Sequence, residues 1–243
     1  MRIIKIEKVA FFMVSRDFIE PEMIPIPKGE FMMGSGDYGD NEAPMHRVWV
    51  DGFVLGKYPV TKKEYAVFIR TTGHNEPLYW NDLKFQNPDA PVVAPSWLDA
   101  VAYCDWLCEM TGKPYRLPTE AEREKAARGG LENCDYPWGD ELPADHEGGR
   151  DMILGAVGSD GPNGYGLYNM SEGVHEWCAD VYDAAYYVDS PYRNPKGPEE
   201  GKRRVARGGS WRHNIRFARC SARSSLAADK QFSDFGFRCA MTL

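Results

Sequence analysis

Residues 204–211 read RVARGGSW and residues 234–239 read DFGFRC, and these two stretches near the end of the chain decide its fold. Each combines a short strand-like run with glycine, the residue that allows the tightest turns. The whole chain has 24 glycines and 17 prolines among 243 residues. This composition predicts many turns and few long helices or strands.

Upstream, helices are predicted at three capping boxes, in which a hydroxyl residue is followed three positions later by an acidic one. The hydroxyl residues are Thr61, Ser96 and Thr119. The first helix is expected to end near Gly73, and the third at the glycine pair 129–130. These signals are local, so they predict where helices begin and end without saying how the helices pack.

Past residue 130 the chain becomes irregular, and strands are predicted there only around residues 204–211 and 235–242. The fold class is therefore α+β, a single compact domain with little regular secondary structure. Long irregular segments usually carry function. Their backbone polar groups also need partners, which are either side chains or a bound cation.

Residues 1–22 are predicted to be an N-terminal extension to a domain that spans residues 23–243. Ile4 and Ile6 alternate with other residues in a pattern that favours a strand joined to the domain. Glu7 and Lys8 interrupt the apolar part, and no small-residue cleavage site follows, so a signal peptide is not indicated.

Composition argues against several classes of partner and location. The formal net charge of -7 argues against general binding to nucleic acid or to anionic membranes. No apolar run approaches the roughly 18 residues that a membrane span needs. Six cysteines in a chain of 243 residues are too few for a disulfide scaffold. We therefore expect a cytoplasmic protein.

Two of the cysteines, Cys104 and Cys108, are four positions apart and would share one face of the second predicted helix. They are either metal ligands or buried thiols that pack as small hydrophobic side chains. No CxxC motif occurs in the sequence, so a zinc ribbon is not indicated.

From about residue 23 onwards, a series of motifs resembles the formylglycine-generating-enzyme, or sulfatase-modifying-factor, domain family. In chain order they are MIPIPKGEFMMGS (23–35), YPVTKKEY (58–65), PSWLDA (95–100), RLPTEAE (116–122), RGG (128–130), YPWG (136–139), NGYGLYN (163–169), EW (176–177), RGGSW (207–211) and GFR (236–238). The resemblance implies the fold of that family, a variant of the C-type-lectin-like fold. This expectation agrees with the α+β prediction.

The resemblance also implies one structural calcium site. The matching positions are the side chains of Asn169 and Glu176 and the backbone carbonyls of Glu172 and Val174. Ligation by oxygen alone suits calcium. The alternative is that Asn169 and Glu176 only hydrogen-bond to loop amides. A second calcium site of the family falls in a segment that is shortened here, residues 140–162, and we expect it to be absent.

The same resemblance argues against the best-known reaction of the family. The first catalytic cysteine of the family falls at His213, and the second falls at or near Ile215. The pair of thiolates that binds copper is therefore missing, and copper is not expected as a cofactor. Cys104 and Cys239 match a disulfide pair of the family, which a reducing cytosol would leave as neighbouring thiols.

Two histidines are the candidate catalytic residues: His213, at the cysteine position, and His175, which replaces a tryptophan of the family. Together with Glu176 they would form a metal site or an acid–base site if the loops meet in the fold. The alternative is that each histidine only makes structural hydrogen bonds. Arg123 stands at another position where the family has tryptophan.

Arginines are concentrated in the C-terminal stretch. We expect several to pair with acidic residues in the core and one or two to face an anionic ligand. They are Arg212, Arg216, Arg219, Arg223 and Arg238.

Three function classes remain. The first is a ligand- or peptide-recognising member of the family with its groove at residues 212–235, where aromatic anchors mix with polar contacts. The second is an oxidoreductase of the broader group that includes the ergothioneine-type sulfoxide synthases, using a metal or a partner subunit. The third is a formylglycine generator, which the missing thiolates disfavour.

We predict the first class, with a peptide or small molecule as partner and with neither nucleic acid nor membrane. The expected ligand-binding residues are Arg212, His213, Arg216, Phe217 and Phe232. Whether the chain is an enzyme is left open by the sequence.

Overall fold

The computed structural model describes residues 18–142 and 154–243. The predicted strand around Ile4 and Ile6 lies outside these residues. The helices are α1 (Lys62–Thr72), α2 (Trp97–Thr111) and α3 (Glu120–Arg128). The strands are β1 (Met23–Ile26), β2 (Gly29–Met33), β3 (His46–Val50), β4 (Phe53–Gly56), β5 (Tyr115–Arg116), β6 (His175–Val181), β7 (Arg203–Arg207), β8 (Arg223–Ala227), β9 (Phe235–Gly236) and β10 (Ala240–Thr242). The predicted α+β class, with little regular structure, is confirmed.

The strands of the described residues form three sheets. One has the order β1-β4-β10-β5, a second pairs β2 with β3, and the third has the order β8-β7-β6-β9. In the third sheet β6 and β9 are parallel, while the β6–β7 and β7–β8 pairs are antiparallel. The third sheet therefore joins β7 and β9, which carry the C-terminal motifs, to β6, which lies in the middle of the irregular half.

All three predicted helix starts are confirmed. Thr61, Ser96 and Thr119 are the N-caps of α1, α2 and α3, and a complete capping box is present at each. Helices α1 and α3 end at Gly73 and Gly129, whose φ angles of 72° and 59° are left-handed. Glycine adopts this conformation without the steric cost that a Cβ atom would add.

Two strands of the irregular half were missed by the sequence prediction. β6 is buried along almost its whole length, so its side chains do not alternate between apolar and polar. β8 reads RSSLA and is half-buried throughout, which also gives no alternation. Period-two alternation is the main sequence signal of a strand, and neither segment has it.

Helix α3 is the unusual element of the core, because it is highly charged and yet every one of its residues is buried. It packs against β2, β3, β6 and β7. In the part of the chain that the structure describes, all its charged residues except Lys125 form salt bridges, and only Glu124–Arg128 lies within the helix. The salt bridges are Glu120–Arg223 at 2.7 Å, Glu122–Arg116 at 2.7 Å, Arg123–Glu176 at 2.8 Å, Glu124–Arg128 at 2.7 Å and Glu124–Arg207.

The other half of the core is aromatic and lies around α1 and α2. The rings of Tyr65 and Tyr103 stack with centroids 5.7 Å apart. The sulfur atoms of Cys104 and Cys239 lie 3.9 Å apart, so these expected neighbours are in contact as thiols. The Cys108 thiol donates to the carbonyl oxygen of Tyr115 at 3.2 Å. Cys104 and Cys108 therefore behave as packed thiols and not as a pair of ligands.

The described helices are all too short or too polar to cross a lipid bilayer.

Asp180 on β6 provides a test of how α3 is held. Its buried carboxylate accepts a hydrogen bond from the backbone N–H of Glu120, at 2.8 Å. Burial, and then the charge of Glu120, raise the pKa of Asp180 well above its ordinary value. A raised carboxyl pKa means that the folded state holds the proton more tightly, so stability is full at low pH and is lost as pH rises towards the folded pKa.

We therefore expect Asp180→Asn to become more stable relative to the natural chain as the pH rises from about 5 to about 8. The variant should gain at least about 1 kcal/mol over the natural chain at the higher pH, the equivalent of roughly one pKa unit. Urea unfolding at both pH values measures this. Asp229→Asn, at an exposed carboxylate, is the control. A parallel pH dependence in all three proteins would contradict the assignment.

Candidate functional site

Two strands and one loop position the candidate site. His175 is the first residue of β6, and Asp234 immediately precedes β9. In the parallel register His175 is the partner of Phe235, and the backbone N–H of His175 donates to the carbonyl of Asp234 at 2.8 Å. The loop that follows β7 carries His213 to the same place, so three distant segments meet.

The two candidate histidines are in direct contact. His175 Nε2 lies 2.8 Å from His213 Nδ1. His175 Nδ1 lies 2.5 Å from the carbonyl oxygen of Gly208. A carbonyl oxygen can only accept, so His175 carries its proton on Nδ1 and presents the lone pair of Nε2 to His213. The sequence analysis expected His175 and His213 to form a site only if their loops meet, and in the structure they do meet.

The buried histidine of this pair is neutral near neutral pH. His175 is only 4% exposed. Burial, and then the neighbouring His213, lower the pKa of His175 to about 4. A neutral imidazole keeps the Nε2 lone pair available to accept a proton or to bind a metal ion.

Asp234 is a third member of the site, and the sequence analysis missed it. Its side chain is 6% exposed. Oδ2 lies 3.6 Å from His213 Nε2, and Oδ1 lies 3.8 Å from the Arg212 guanidinium. Within the described ranges, these two long contacts are the only charged partners of the carboxylate, and no hydrogen bond reaches its oxygens.

A continuous row of rings runs through the site. The centroid distances are 6.4 Å from Phe232 to Phe235, 5.2 Å from Phe235 to His175, 4.9 Å from His175 to His213 and 5.7 Å from His213 to Phe217. Phe232 and Phe217, at the two ends, are each 45% exposed, whereas Phe235 is buried. The row therefore gives the surface one aromatic side chain on each side of His213.

The expected pairing of several C-terminal arginines with acidic residues of the core is seen in the structure. Arg219, Arg223 and Arg238 are bound by Glu42, Glu120 and Glu176, with closest contacts of 2.7 Å in each pair. Arg212 and Arg216 are exposed. Residues 218–222 are buried and Arg223–Ala227 form β8, so the candidate surface is narrower than the predicted groove at 212–235. It consists of residues 212–217 together with Phe232.

Glu176 does not join the histidines, because two arginines bind its carboxylate. Arg123 Nε donates to Oε2 at 2.8 Å. Arg238 donates from Nε to Oε2 and from Nη2 to Oε1, both at 2.7 Å. Burial alone would raise the pKa of Glu176, but the charges of Arg123 and Arg238 outweigh it and lower that pKa.

The guanidinium groups also bind the neighbouring carbonyl oxygens. Arg238 donates to Tyr168 at 2.8 Å and Arg123 donates to Met170 at 2.9 Å. Tyr168 and Met170 flank Asn169, the first residue of the expected calcium set. Two guanidinium groups therefore stand where the expected calcium ion would bind Glu176, and calcium does not fit this position.

The other residues of the expected calcium set have separate roles. The Asn169 side chain accepts from the backbone N–H of Gly158 at 3.0 Å. Val174 is buried directly before β6. Asn169 and Glu172 both line a surface cavity of about 430 Å³ beside Trp138.

The site also lacks the thiols that copper would need. His213 and Ile215 stand at the two positions that the sequence comparison assigned to cysteine. Cys220 is the nearest cysteine in the chain, and burial raises its pKa to about 12. A thiol of that kind is neither a good nucleophile nor a good metal ligand at neutral pH.

With this geometry in place, the chain can be compared with known proteins. The profile of the sulfatase-modifying factor enzyme 1-like domain matches residues 11–243. The chain belongs to this family. It is 36% identical to mouse formylglycine-generating enzyme, over 90% of the chain and 74% of that enzyme. It is 30% identical to the mouse protein named inactive C-alpha-formylglycine-generating enzyme 2, over 91% of the chain and 86% of that protein.

Among solved structures, the fold is similar to PvdO from Pseudomonas aeruginosa. The TM-score is 0.80 and the sequence identity is 29%, over 92% of the chain and 95% of PvdO. The predicted family and fold are therefore both confirmed.

The Glu176 cluster yields a stability prediction. Glu176→Gln would leave two buried guanidinium groups without a full negative charge, and we expect it to lower the free energy of unfolding by about 3–5 kcal/mol. Glu30→Gln is the matched control, since Glu30 forms an exposed salt bridge with Arg47 at 3.0 Å. Loss of an exposed pair should cost at most about 1 kcal/mol.

The same cluster predicts that stability does not depend on calcium at Glu176. We expect the melting temperature to be the same in a chelator such as EGTA and in millimolar calcium. Differential scanning fluorimetry makes both measurements. A calcium-dependent rise in melting temperature that Glu176→Gln abolishes would restore the calcium assignment.

Proposed function

We propose that this family member recognises a peptide or small-molecule ligand and does not generate formylglycine by cysteine-dependent copper chemistry. The binding residues are Arg212, His213, Arg216, Phe217 and Phe232. The observation that carries the proposal is the row of rings through His213, with exposed phenylalanines at both ends and two exposed arginines beside it. Rigid aromatic anchors next to adaptable polar groups are typical of recognition surfaces.

The chemistry of this surface selects the kind of ligand. Arg212 and Arg216 are exposed cations in the same loop as His213 and Phe217. The Arg216 guanidinium lies 4.9 Å from the centre of the Phe217 ring, a cation–π contact that places a positive charge next to an apolar ring. We therefore expect a ligand that carries a carboxylate or phosphate next to an apolar group.

A reducing location is part of the same proposal. Cys104 and Cys239 are contacting thiols at 3.9 Å, which suits the cytoplasm better than an oxidising compartment.

A second candidate function is an oxidoreductase that works with a metal or with a partner subunit. It is favoured by one observation, the convergence of His175, His213 and Asp234. Metal-dependent turnover discriminates between the two candidates. Oxidation of a substrate that requires bound iron or copper, and that His213→Ala abolishes, would favour the enzyme, whereas a bound metal without turnover would not.

The ligand surface is tested with random peptides displayed on phage and selected on the immobilised protein. We expect selected peptides to combine acidic and aromatic residues. The double variant Arg216→Ala with Phe217→Ala should weaken their binding by about tenfold or more, since truncated anchors cost more than about 1 kcal/mol each. Fluorescence polarisation of synthetic peptides gives the dissociation constants.

The matched control is the double variant Arg70→Ala with Leu83→Ala, which removes one exposed arginine and one exposed apolar side chain outside residues 212–235. Its affinity for the selected peptides should equal that of the natural chain. Equal binding by the two double variants would refute the proposed surface.

A further inference from the structure

We propose that His175, His213 and Asp234 form a binding site for one divalent transition-metal ion, such as zinc, cobalt or iron(II). One ligand atom from each residue can be chosen so that all three lie within 4.8 Å of one another. The inference goes beyond recognition of a ligand, because the ion would be held by these three side chains whether or not a peptide binds at Phe217 and Phe232.

Two of the three ligands are fixed by the fold. His175 and Asp234 lie on neighbouring parallel segments that are joined by a backbone hydrogen bond of 2.8 Å. Their side chains are 4% to 6% exposed and are surrounded by packed residues. Ligands on strands hold a site more accurately than ligands on loops, so the fold prepares half of the coordination sphere.

The protonation of His175 is the one that a metal ligand needs. Its Nδ1–H is held by the carbonyl oxygen of Gly208, which leaves the Nε2 lone pair, now facing His213, as the one that would bind the ion in place of that contact. Ligating histidines almost always donate their second ring nitrogen to a carbonyl or carboxylate in this way. The hydrogen bond therefore sets both the tautomer and the direction of the ring.

His175 Nε2 and His213 Nδ1 are spaced nearly as two nitrogens that bind the same ion would be. Two nitrogens at about 2.0–2.1 Å from one ion are about 2.9 Å apart at a right angle and about 3.4 Å apart in a tetrahedron. The observed separation of 2.8 Å is near the first value and about half an ångström below the second. His213 stands on a loop with 36% of its side chain exposed, so it is the ligand that can move.

Asp234 supplies the electrostatic reason for an ion. A buried carboxylate normally accepts hydrogen bonds, because its desolvation is otherwise costly. In the described parts of the chain Asp234 accepts none, and its charge is met only by Arg212 at 3.8 Å and His213 at 3.6 Å. A divalent ion bound between Asp234 and the imidazoles would neutralise this charge directly, in competition with Arg212.

The donor set selects the class of metal. Two imidazole nitrogens and one carboxylate suit zinc, cobalt and iron(II), whereas calcium and magnesium favour oxygen ligands throughout. Three protein ligands also leave coordination positions open on the exposed side of His213. Open positions would admit water or an anionic group of a ligand.

The test is a titration of the metal-free protein with cobalt(II), followed by the visible absorption of the bound ion. We expect one ion per chain. His213→Ala and Asp234→Asn should each weaken binding by about 100-fold or more, because the loss of even an outer partner of a ligand costs about 10–100-fold. Arg212→Gln should tighten binding several-fold, since it removes a repelling cation from Asp234.

Two controls isolate the site. His74→Ala removes a histidine paired with Asp99 at 2.8 Å, a histidine–carboxylate pair elsewhere in the fold, and it should leave cobalt binding unchanged. Phe217→Ala should also leave cobalt binding unchanged while it weakens peptide binding, so the metal site and the ligand surface can fail separately. Circular dichroism checks that His213→Ala remains folded.

Cobalt binding that His213→Ala leaves intact would overturn the proposal, as would the absence of one tightly bound ion per chain. Tighter binding in Arg212→Gln together with weaker binding in Asp234→Asn would support it, since a purely structural carboxylate predicts neither change.

Discussion

The fold depends on burying the charges of helix α3, which is possible only when arginines from other segments meet its acidic residues. Glu120 binds Arg223 at 2.7 Å, and Glu124 binds Arg207. A buried charge without its partner costs several kcal/mol, whereas the complete pair roughly balances its own desolvation. The helix can therefore enter the core only in the arrangement that brings these partners together, and the network selects one topology for a chain with little regular structure.

The same network positions the candidate site, because its members are neighbours of the site residues in the chain. Glu176 follows His175 on β6, and Arg207 precedes Gly208, whose carbonyl oxygen orients His175. Arg238 comes shortly after β9, which follows Asp234. Ion pairs in the core therefore fix the three backbone segments that carry the site. His213 is the exception, since its loop extends from this frame towards solvent.

The sequence predicted what is local and missed what is long-range. Helix starts depend on residues three positions apart, so the capping box at Thr119 was sufficient to place α3. Its burial was not predictable, because charges on all sides of a helix normally indicate solvent. Asp234 was missed for a related reason. An acidic residue before a glycine-containing turn is ordinary in sequence, and only the pairing of β6 with β9 places it beside His175.

At Glu176 the predicted calcium ion would compete with a residue that the sequence had already marked as unusual, Arg123. This arginine reaches Glu176 across 53 positions of the chain and, with Arg238, supplies positive charge that is covalently part of the protein. A bound ion exchanges with solvent and adds stability that depends on its concentration, whereas a guanidinium group does neither. Since Glu176 adjoins His175, any ion bound at the histidines lies next to this fixed charge. Occupancy by metal in this region then depends on His175, His213 and Asp234, and within the described residues no arginine of the core holds any of them at hydrogen-bond distance.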